Sequence, residues 1–374
     1  MLSWITSTPE EPVLALAPMQ DVTDLPFWKL MARHGGADVY YTEFFRVHAT
    51  SHLEKHILQS ITENPTGRPV VAQMIGNDIE ALVRTAKELQ HLPIAAVDLN
   101  LGCPAPIVYK KCAGGGLLRE PKRVDAILGA LREVIQPPCR FTVKTRIGFD
   151  SPDVFEQLLT IFTRHSPDLL TVHGRTVVEM YRTEVHYDFI ARAVEALPCP
   201  VLANGNVHSP ARAEEVLQLT GAAGLMIGRA AIRNPWVFQQ IRQHRRGEAL
   251  FQPRGRDVLE YIRELYEAVC SPDVKEVSQV QKMKKYLNYL AVGVEPTGKF
   301  LHDIRRVTTC ADFFRVCAEH LDHDRPLPLE PFPMPTPSGD SEAASATAMS
   351  RLGKTMTPSM IRIRMSDRKS TRLN

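Results

Sequence analysis

The sequence predicts an α/β fold, a (β/α)8 barrel of the TIM type followed by a small all-helical C-terminal domain, and three observations carry that expectation. Eight short runs rich in β-branched or apolar residues recur along the chain. Each interval between them is long enough for a crossover helix. From about residue 246 the strand-like runs give way to helical periodicity. The divisions read as 1–243 for the barrel, 244–323 for the helical domain and 324–374 for a tail. That tail is rich in proline and then in serine, alanine and threonine, a composition that marks it as lacking a fixed fold.

The eight runs are 13–17, 39–42, 70–75, 95–99, 141–145, 169–172, 200–203 and 224–227. Barrels of this kind gather their chemistry at the carboxyl ends of the strands. In order, the residues found there are Pro18-Met19-Gln20, Glu43, Gln73, Asn100 with Cys103, Lys144 with Arg146, His173 with Arg175, Asn204-Gly205-Asn206, and Gly228-Arg229. Some polar strand ends arise simply because strands exit to solvent; that does not easily explain all eight.

The seventh and eighth stations stand where barrels commonly hold a cofactor phosphate. Glycine lets backbone N–H groups approach an anion, a helix starting near Asn234-Pro235 would add its positive end, and Arg229 a charge-assisted contact. Gly205 or Gly228 alone reads as a turn glycine; their joint position points to phosphate. Lys144 ends a run of otherwise apolar positions. It points either to bulk solvent or into the mouth, and the mouth is the better account, since a cation there would favour an anionic reduced flavin; for Lys144 taken singly, a salt bridge near Glu43 accounts for it equally well.

Residues 98–104 and 110–116, with their Gly-Cys-Pro and triple-glycine stretches, make a long loop after the fourth strand whose composition suggests mobility and catalysis. Cys103 lies between glycine and proline, where packing demand is low, and reads as catalytic rather than as a small buried hydrophobe. Cys112 reads as structural, because the basic residues between the two thiols give no geometric reason for them to meet.

The remaining features bound the answer. Seven scattered cysteines with no C-x-x-C spacing fit reduced thiols, not disulfides or a zinc knuckle. A formal charge of +3 is too small to argue for nucleic acid by itself. Apolar runs stop short of the roughly 20 residues that span a bilayer, and the first residues do not resemble an export leader. A cytoplasmic monomer that avoids membranes is expected. His48, His52 and His56 recur every four residues and suggest one face of a helix after the second strand. No carboxylate or cysteine completes a site, so they read as exposed histidines and no metal is expected. Between 246 and 321, Lys275, Lys282, Lys284, Lys285, Lys299, Arg305 and Arg306 stand among Tyr286, Tyr289 and Phe300, as in an RNA-facing domain. For Lys282, Lys284 and Lys285 taken alone, a solvated helix face is the better account.

From about residue 13 to 321 the chain resembles the dihydrouridine synthase family of tRNA-modifying flavoenzymes. The resemblance is carried by Ala17-Pro18-Met19, Asn100-Leu101-Gly102-Cys103-Pro104, Val143-Lys144-Thr145-Arg146-Ile147-Gly148, Val172-His173-Gly174-Arg175-Thr176, Asn204-Gly205-Asn206 and Met226-Ile227-Gly228-Arg229-Ala230, in family order. It implies a TIM barrel binding FMN, a helical tRNA-binding domain, and NADPH-dependent reduction of the C5–C6 double bond of uridine. It also implies that Cys103 is the catalytic cysteine, and that FMN is met by Pro18, Met19, Gln20, Gln73, Lys144, His173, Asn204, Gly205, Asn206, Gly228 and Arg229. Substrate contacts are expected from Asn100 and Arg175 in the mouth and from Lys282, Lys285 and Arg305 in the helical domain. A thiol with a pKa near roughly 8.5 is mostly protonated at neutral pH, so Cys103 suits the donation of a proton to C5. The base must leave the RNA stack to reach it. Two other readings are a flavin barrel acting on a free pyrimidine, as in dihydroorotate dehydrogenase-like enzymes, and a non-catalytic RNA-binding protein. The terminal run 367–374 resembles translated sequencing-adapter read-through.

Overall fold

Nine parallel strands organise the protein, seen in a computed structural model that describes residues 11–332. They are β1 (Val13–Leu16), β2 (Val39–Tyr41), β3 (Phe45–Arg46), β4 (Val70–Ile75), β5 (Ala96–Leu101), β6 (Arg140–Arg146), β7 (Leu169–His173), β8 (Val201–Asn204) and β9 (Gly224–Ile227). β1 pairs with β2 on one side and β9 on the other, and β2 pairs with β4, so eight strands close a ring. The expected (β/α)8 barrel is present. β3 is an addition to it, two residues paired to the end of β4.

Strand periodicity explains what lies inside. Val13, Ala15, Ala17, Val39, Tyr41, Val71, Leu169, Leu202 and Met226 form the apolar cluster within the barrel, whereas Leu14, Leu16, Ala72, Val97, Phe141, Val143, Leu170 and Val172 belong to the larger core that packs against the helices. Alternation therefore turns Gln73, Asp98, Asn100, Thr142, Lys144, Thr171, His173 and Asn204 inward. The inward positions of β6 are thus polar, unlike the apolar run that the sequence suggests. Strands β5 to β8 also run past their expected ends, so that Asn100, Arg146, His173 and Asn204 lie on strands and not on the loops beyond them.

The helices have sequence-encoded ends. Asp24 caps Leu25–Arg33 by accepting from the Phe27 N–H, and Ser209 does the same for Pro210–Thr220 by accepting from Arg212, with Gly221 in the left-handed region at its far end. After the barrel come helices Gly255–Val269, Glu276–Leu290, Lys299–Arg306 and Cys310–Leu321. The Tyr286 hydroxyl donates to the Val22 carbonyl (3.0 Å) and that of Tyr261 to Ile232 (3.0 Å), so the C-terminal helices are seated on the barrel within one compact unit. A division at 243 falls inside the helix Val237–Arg245.

Two expectations about flanking segments change. Residues 324–332 run as an ordered strap: Pro326 bridges to Arg254, the Leu327 N–H donates to Pro253 (2.8 Å) and that of Phe332 to Val292 (2.8 Å). Short stretches of this kind hold their place through backbone hydrogen bonds and the burial of Leu327, which composition does not register. The rest of the expected tail, with the run 367–374, lies outside the described residues. Of the three histidines, His56 stands on the helix Lys55–Glu63, while His48 and His52 lie in the segment before it, so they share no helix face. Among the described residues no group of three or more His, Cys, Asp or Glu side chains is placed to hold a metal ion, and no helix is long and apolar enough to cross a membrane.

Candidate active site at the barrel mouth

A continuous hydrogen-bonded chain leads from the barrel interior to the cysteine. Asp98 is fully buried; it accepts from Thr142 Oγ1 (2.6 Å) and from Gln73 Nε2 (2.8 Å). Gln73 Oε1 in turn accepts from Asn100 Nδ2 (2.8 Å), and Asn100 Oδ1 receives the backbone N–H groups of Gly102 (3.0 Å) and Cys103 (2.9 Å). Burial pushes the Asp98 carboxyl up to about 6, against the hydrogen bonds that favour its charge. Asn100, expected to hold substrate, therefore has its amide committed to shaping the Cys103 turn, and both ends of the Gln73 amide are engaged within the protein.

Cys103 is half-buried, and burial raises its thiol pKa above the ordinary value despite the lowering influence of Arg146 and Lys144. The loop that bears it is closely packed. Gly115 donates to the Cys103 carbonyl (3.2 Å), and a Cβ on Gly115 would fall 2.5 Å from Val177 Cγ2. The glycines at 114–116 are buried and serve close approach, where composition suggests a mobile segment.

Beside this turn four cations converge. Lys144 Nζ donates to Asn204 Oδ1 (3.1 Å), whose amide nitrogen is held by the Met226 carbonyl (2.8 Å); Lys144 thus faces the mouth, and makes no salt bridge with Glu43. Burial, and secondarily Arg146, pulls its ammonium down to about 8. Arg146 is spent on the carbonyls of Gly102, Thr176 and Met180. Arg175, expected to touch substrate, is buried and donates through Nε and Nη2 to the Thr183 carbonyl (2.8 and 2.5 Å), fastening the loop after β7. Arg229 Nη2 reaches Asn206 Oδ1 (3.3 Å). None of the four has a carboxylate ion-pair partner among the described residues.

His173 stands among them. Burial, then the fields of Arg146, Lys144, Arg175 and Arg229, hold its pKa well below the usual imidazole value, so it is neutral. Arg175 Nη1 lies 3.4 Å from its Nε2, and a guanidinium can only donate; the Nε2 must accept, which leaves the proton on Nδ1. Tyr181 covers this group, with Arg229 4.5 Å and Arg146 5.4 Å from its ring centre and His173 at 6.0 Å.

The glycine stations fit close backbone approach. Gly205 has φ +129°, its carbonyl accepts from Tyr187 (2.8 Å), and Asn206 follows at φ +48°, a left-handed conformation that asparagine tolerates. A Cβ on Gly228 would lie 3.2 Å from Met19 Sδ and 3.3 Å from Ala17. Behind Gly228 a short helix, Arg229–Arg233, begins at once, ahead of the expected start near Asn234. Pro18, Met19 and Gln20 are half-buried beside them, and the Gln20 Oε1 is a buried acceptor with no hydrogen-bond partner. In the helical region Lys282 sits 3.8 Å from Asp24, Arg305 donates to Asn288 Oδ1 (3.0 Å), and Lys285 is exposed. Among the described residues none of these three forms an ion pair or side-chain hydrogen bond with a residue of the mouth constellation; Lys282 meets the barrel through Asp24.

Arg146, Asp98 and Tyr181 complete the site beyond the residues expected to hold cofactor or substrate. Glu43 is a further perturbed group: burial, with Asp24 and Asp21 nearby, pushes its carboxyl up to about 7. A carboxyl raised from 4.5 to about 7 contributes stability below 4.5 that is lost as pH rises through 7. Melting temperatures of the wild type should therefore fall, relative to Glu43→Gln, as pH rises from 4.5 to 7; parallel curves would show that the side chain titrates normally.

Residues 15–322 match the sequence model of the family described as Dihydrouridine synthase. The chain is 31% identical over 313 residues to a tRNA-dihydrouridine(16) synthase of Pseudomonas putida, covering 81% of this chain and 95% of that protein. It is 36% identical over 290 residues to tRNA-dihydrouridine synthase B of the same organism, covering 76% and 84%. Among solved structures, histamine dehydrogenase from Rhizobium sp. 4-9 shares the fold, with TM-score 0.51 at 11% identity over 86% of this chain and 64% of that one.

Proposed function

Because the chain belongs to the dihydrouridine synthase family, we propose that it reduces the C5–C6 double bond of a uridine in tRNA, with FMN at the barrel mouth and NADPH as the electron donor. The observation that carries this reading is the set of four cations around a neutral His173, none with a carboxylate partner among the described residues. Such a cluster suits an anionic ligand. The orphaned Gln20 Oε1 and the close-approach glycines fit a planar, phosphate-bearing group.

Gly205, Asn206, Gly228 and Arg229 would hold the phosphate, and Pro18, Met19, Gln20, Gln73, Lys144, His173 and Asn204 the ring system. When bound and reduced, the flavin supplies hydride to C6 of the uracil. Cys103, protonated because burial raises its pKa, gives its proton to C5. Asn100 holds the Cys103 turn, and Arg175 the loop after β7. The helical region from 244 to 323 serves as the tRNA-binding domain, in a cytoplasmic monomer that needs no metal.

Incubating purified protein with unmodified tRNA and NADPH, then mapping dihydrouridine, tests the reading. Reduction of free pyrimidines with no action on tRNA would favour a small-molecule reductase, and a colourless protein would favour a barrel without chemistry. Lys285→Ala and Arg305→Ala should each weaken tRNA binding and reduce the slope of log affinity against log salt by about 1, the signature of one lost phosphate contact. An unchanged slope for both would place the RNA elsewhere.

A further inference from the structure

A uridine that leaves a folded RNA opens a gap in the base stack, and proteins that bend or open nucleic acids commonly fill such gaps with apolar side chains. Two apolar side chains on the mouth loops are exposed far beyond any packing need: Ile107, in the short helix Pro106–Tyr109 that follows Cys103, at 72%, and Val178, after β7, at 56%. Both stand on firm supports. Val178 donates its backbone N–H to Phe149 (2.9 Å) and Val177 to Gly148 (3.0 Å), while Tyr109 meets the Phe149 ring edge-on at 5.3 Å and Arg119 lies 4.2 Å from that ring. Gly115, bonded to the Cys103 carbonyl, packs on Val177. Cys103, Ile107 and Val178 are thus carried by one packed assembly.

The surroundings are basic. Lys110, Lys111 and Arg182 are exposed and make no ion pair with an acid among the described residues, against one exposed acid, Glu184, in the loop with Val178. Apolar tips set among cations match bases flanked by phosphates. Of the other large exposed apolar groups, Tyr181 shares the loop of Val178 but has its ring against Arg229, Arg146 and His173, while Leu219 stands on helix Pro210–Thr220, Val277 on helix Glu276–Leu290 and Val274 just before it.

We propose that Ile107 and Val178 form a wedge that enters the RNA stack vacated by the target uridine, with Lys110, Lys111 and Arg182 on the neighbouring phosphates. This rests on the reading of the chain as a tRNA uridine reductase. The test compares the wild type with Ile107→Ser/Val178→Ser and with the conservative pair Ile107→Met/Val178→Ile, using unmodified tRNA and NADPH. The serine pair should lose about tenfold or more in kcat/KM for dihydrouridine formation, as unstacking is no longer offset, while the conservative pair keeps it. Melting temperature and NADPH-driven flavin reduction without tRNA should match the wild type in both. An active wild type with an equally active serine pair overturns the wedge alone. A wild type inactive on tRNA sinks the functional reading, and the wedge falls with it. Lost activity accompanied by a change from dimer to monomer in sedimentation assigns the surface to a second copy and overturns the proposal.

Discussion

Cys103→Ala is expected to slow dihydrouridine formation by about 10²- to 10⁴-fold, the range over which a positioned acid accelerates proton transfer, while NADPH oxidation by the flavin continues. The thiol is suited to giving a proton, since burial raises its pKa and the protonated form persists through neutral pH. Its place is also fixed: the Cys103 N–H is held by Asn100, Asn100 by Gln73, and Gln73 by the buried Asp98. An acid must be protonated to act, so the wild-type rate should decline as pH rises through the thiol's elevated pKa, and the alanine variant should lose that limb. Single-turnover experiments with pre-reduced enzyme isolate the step. Full turnover by Cys103→Ala would remove the assigned role.

The second large effect is on cofactor retention. Arg229→Ala should weaken FMN binding by about 10- to 150-fold, the equivalent of the roughly 1.5–3 kcal/mol of a hydrogen bond to a charged group. Arg229 is half-buried, and among the described residues it meets Asn206 Oδ1 and the face of Tyr181, with no carboxylate ion-pair partner to neutralise its charge. Flavin released on dialysis, read by absorbance, measures the loss. Undiminished flavin content would move the phosphate away from this station.

Much of this site was legible because strands repeat with period two and barrels place their chemistry at one end. Gln73, Lys144, His173 and Asn204 could be named from the residues that close each apolar run, and they do face one interior. Asp98 was not legible, since it sits within a strand and its partners Gln73 and Thr142 lie 25 and 44 residues away. Tyr181 was hidden for a similar reason, since a loop aromatic carries no periodicity and its role depends on Arg229 and Arg146 arriving from other strands. Asn100 and Arg175 were found as positions, but sequence could not say that the Asn100 carbonyl would take the backbone N–H groups of Gly102 and Cys103, or that Arg175 would fasten the Thr183 carbonyl. The strap at 324–332 escaped because proline-rich composition resembles that of unfolded chain, while its order comes from single backbone bonds to distant partners.

That strap sets where the chain can be shortened. Arg233 is buried and gives both hydrogens of one terminal nitrogen to carbonyls, of His208 (2.6 Å) and of Leu329 (2.5 Å), while Glu330 engages His208 and Ser209 directly after the Asn204-Gly205-Asn206 turn. A protein trimmed at His323 would leave a guanidinium inside the fold short of an acceptor and the eighth-strand turn without its clasp. An expression boundary chosen for crystallography or a C-terminal tag therefore belongs after Phe332.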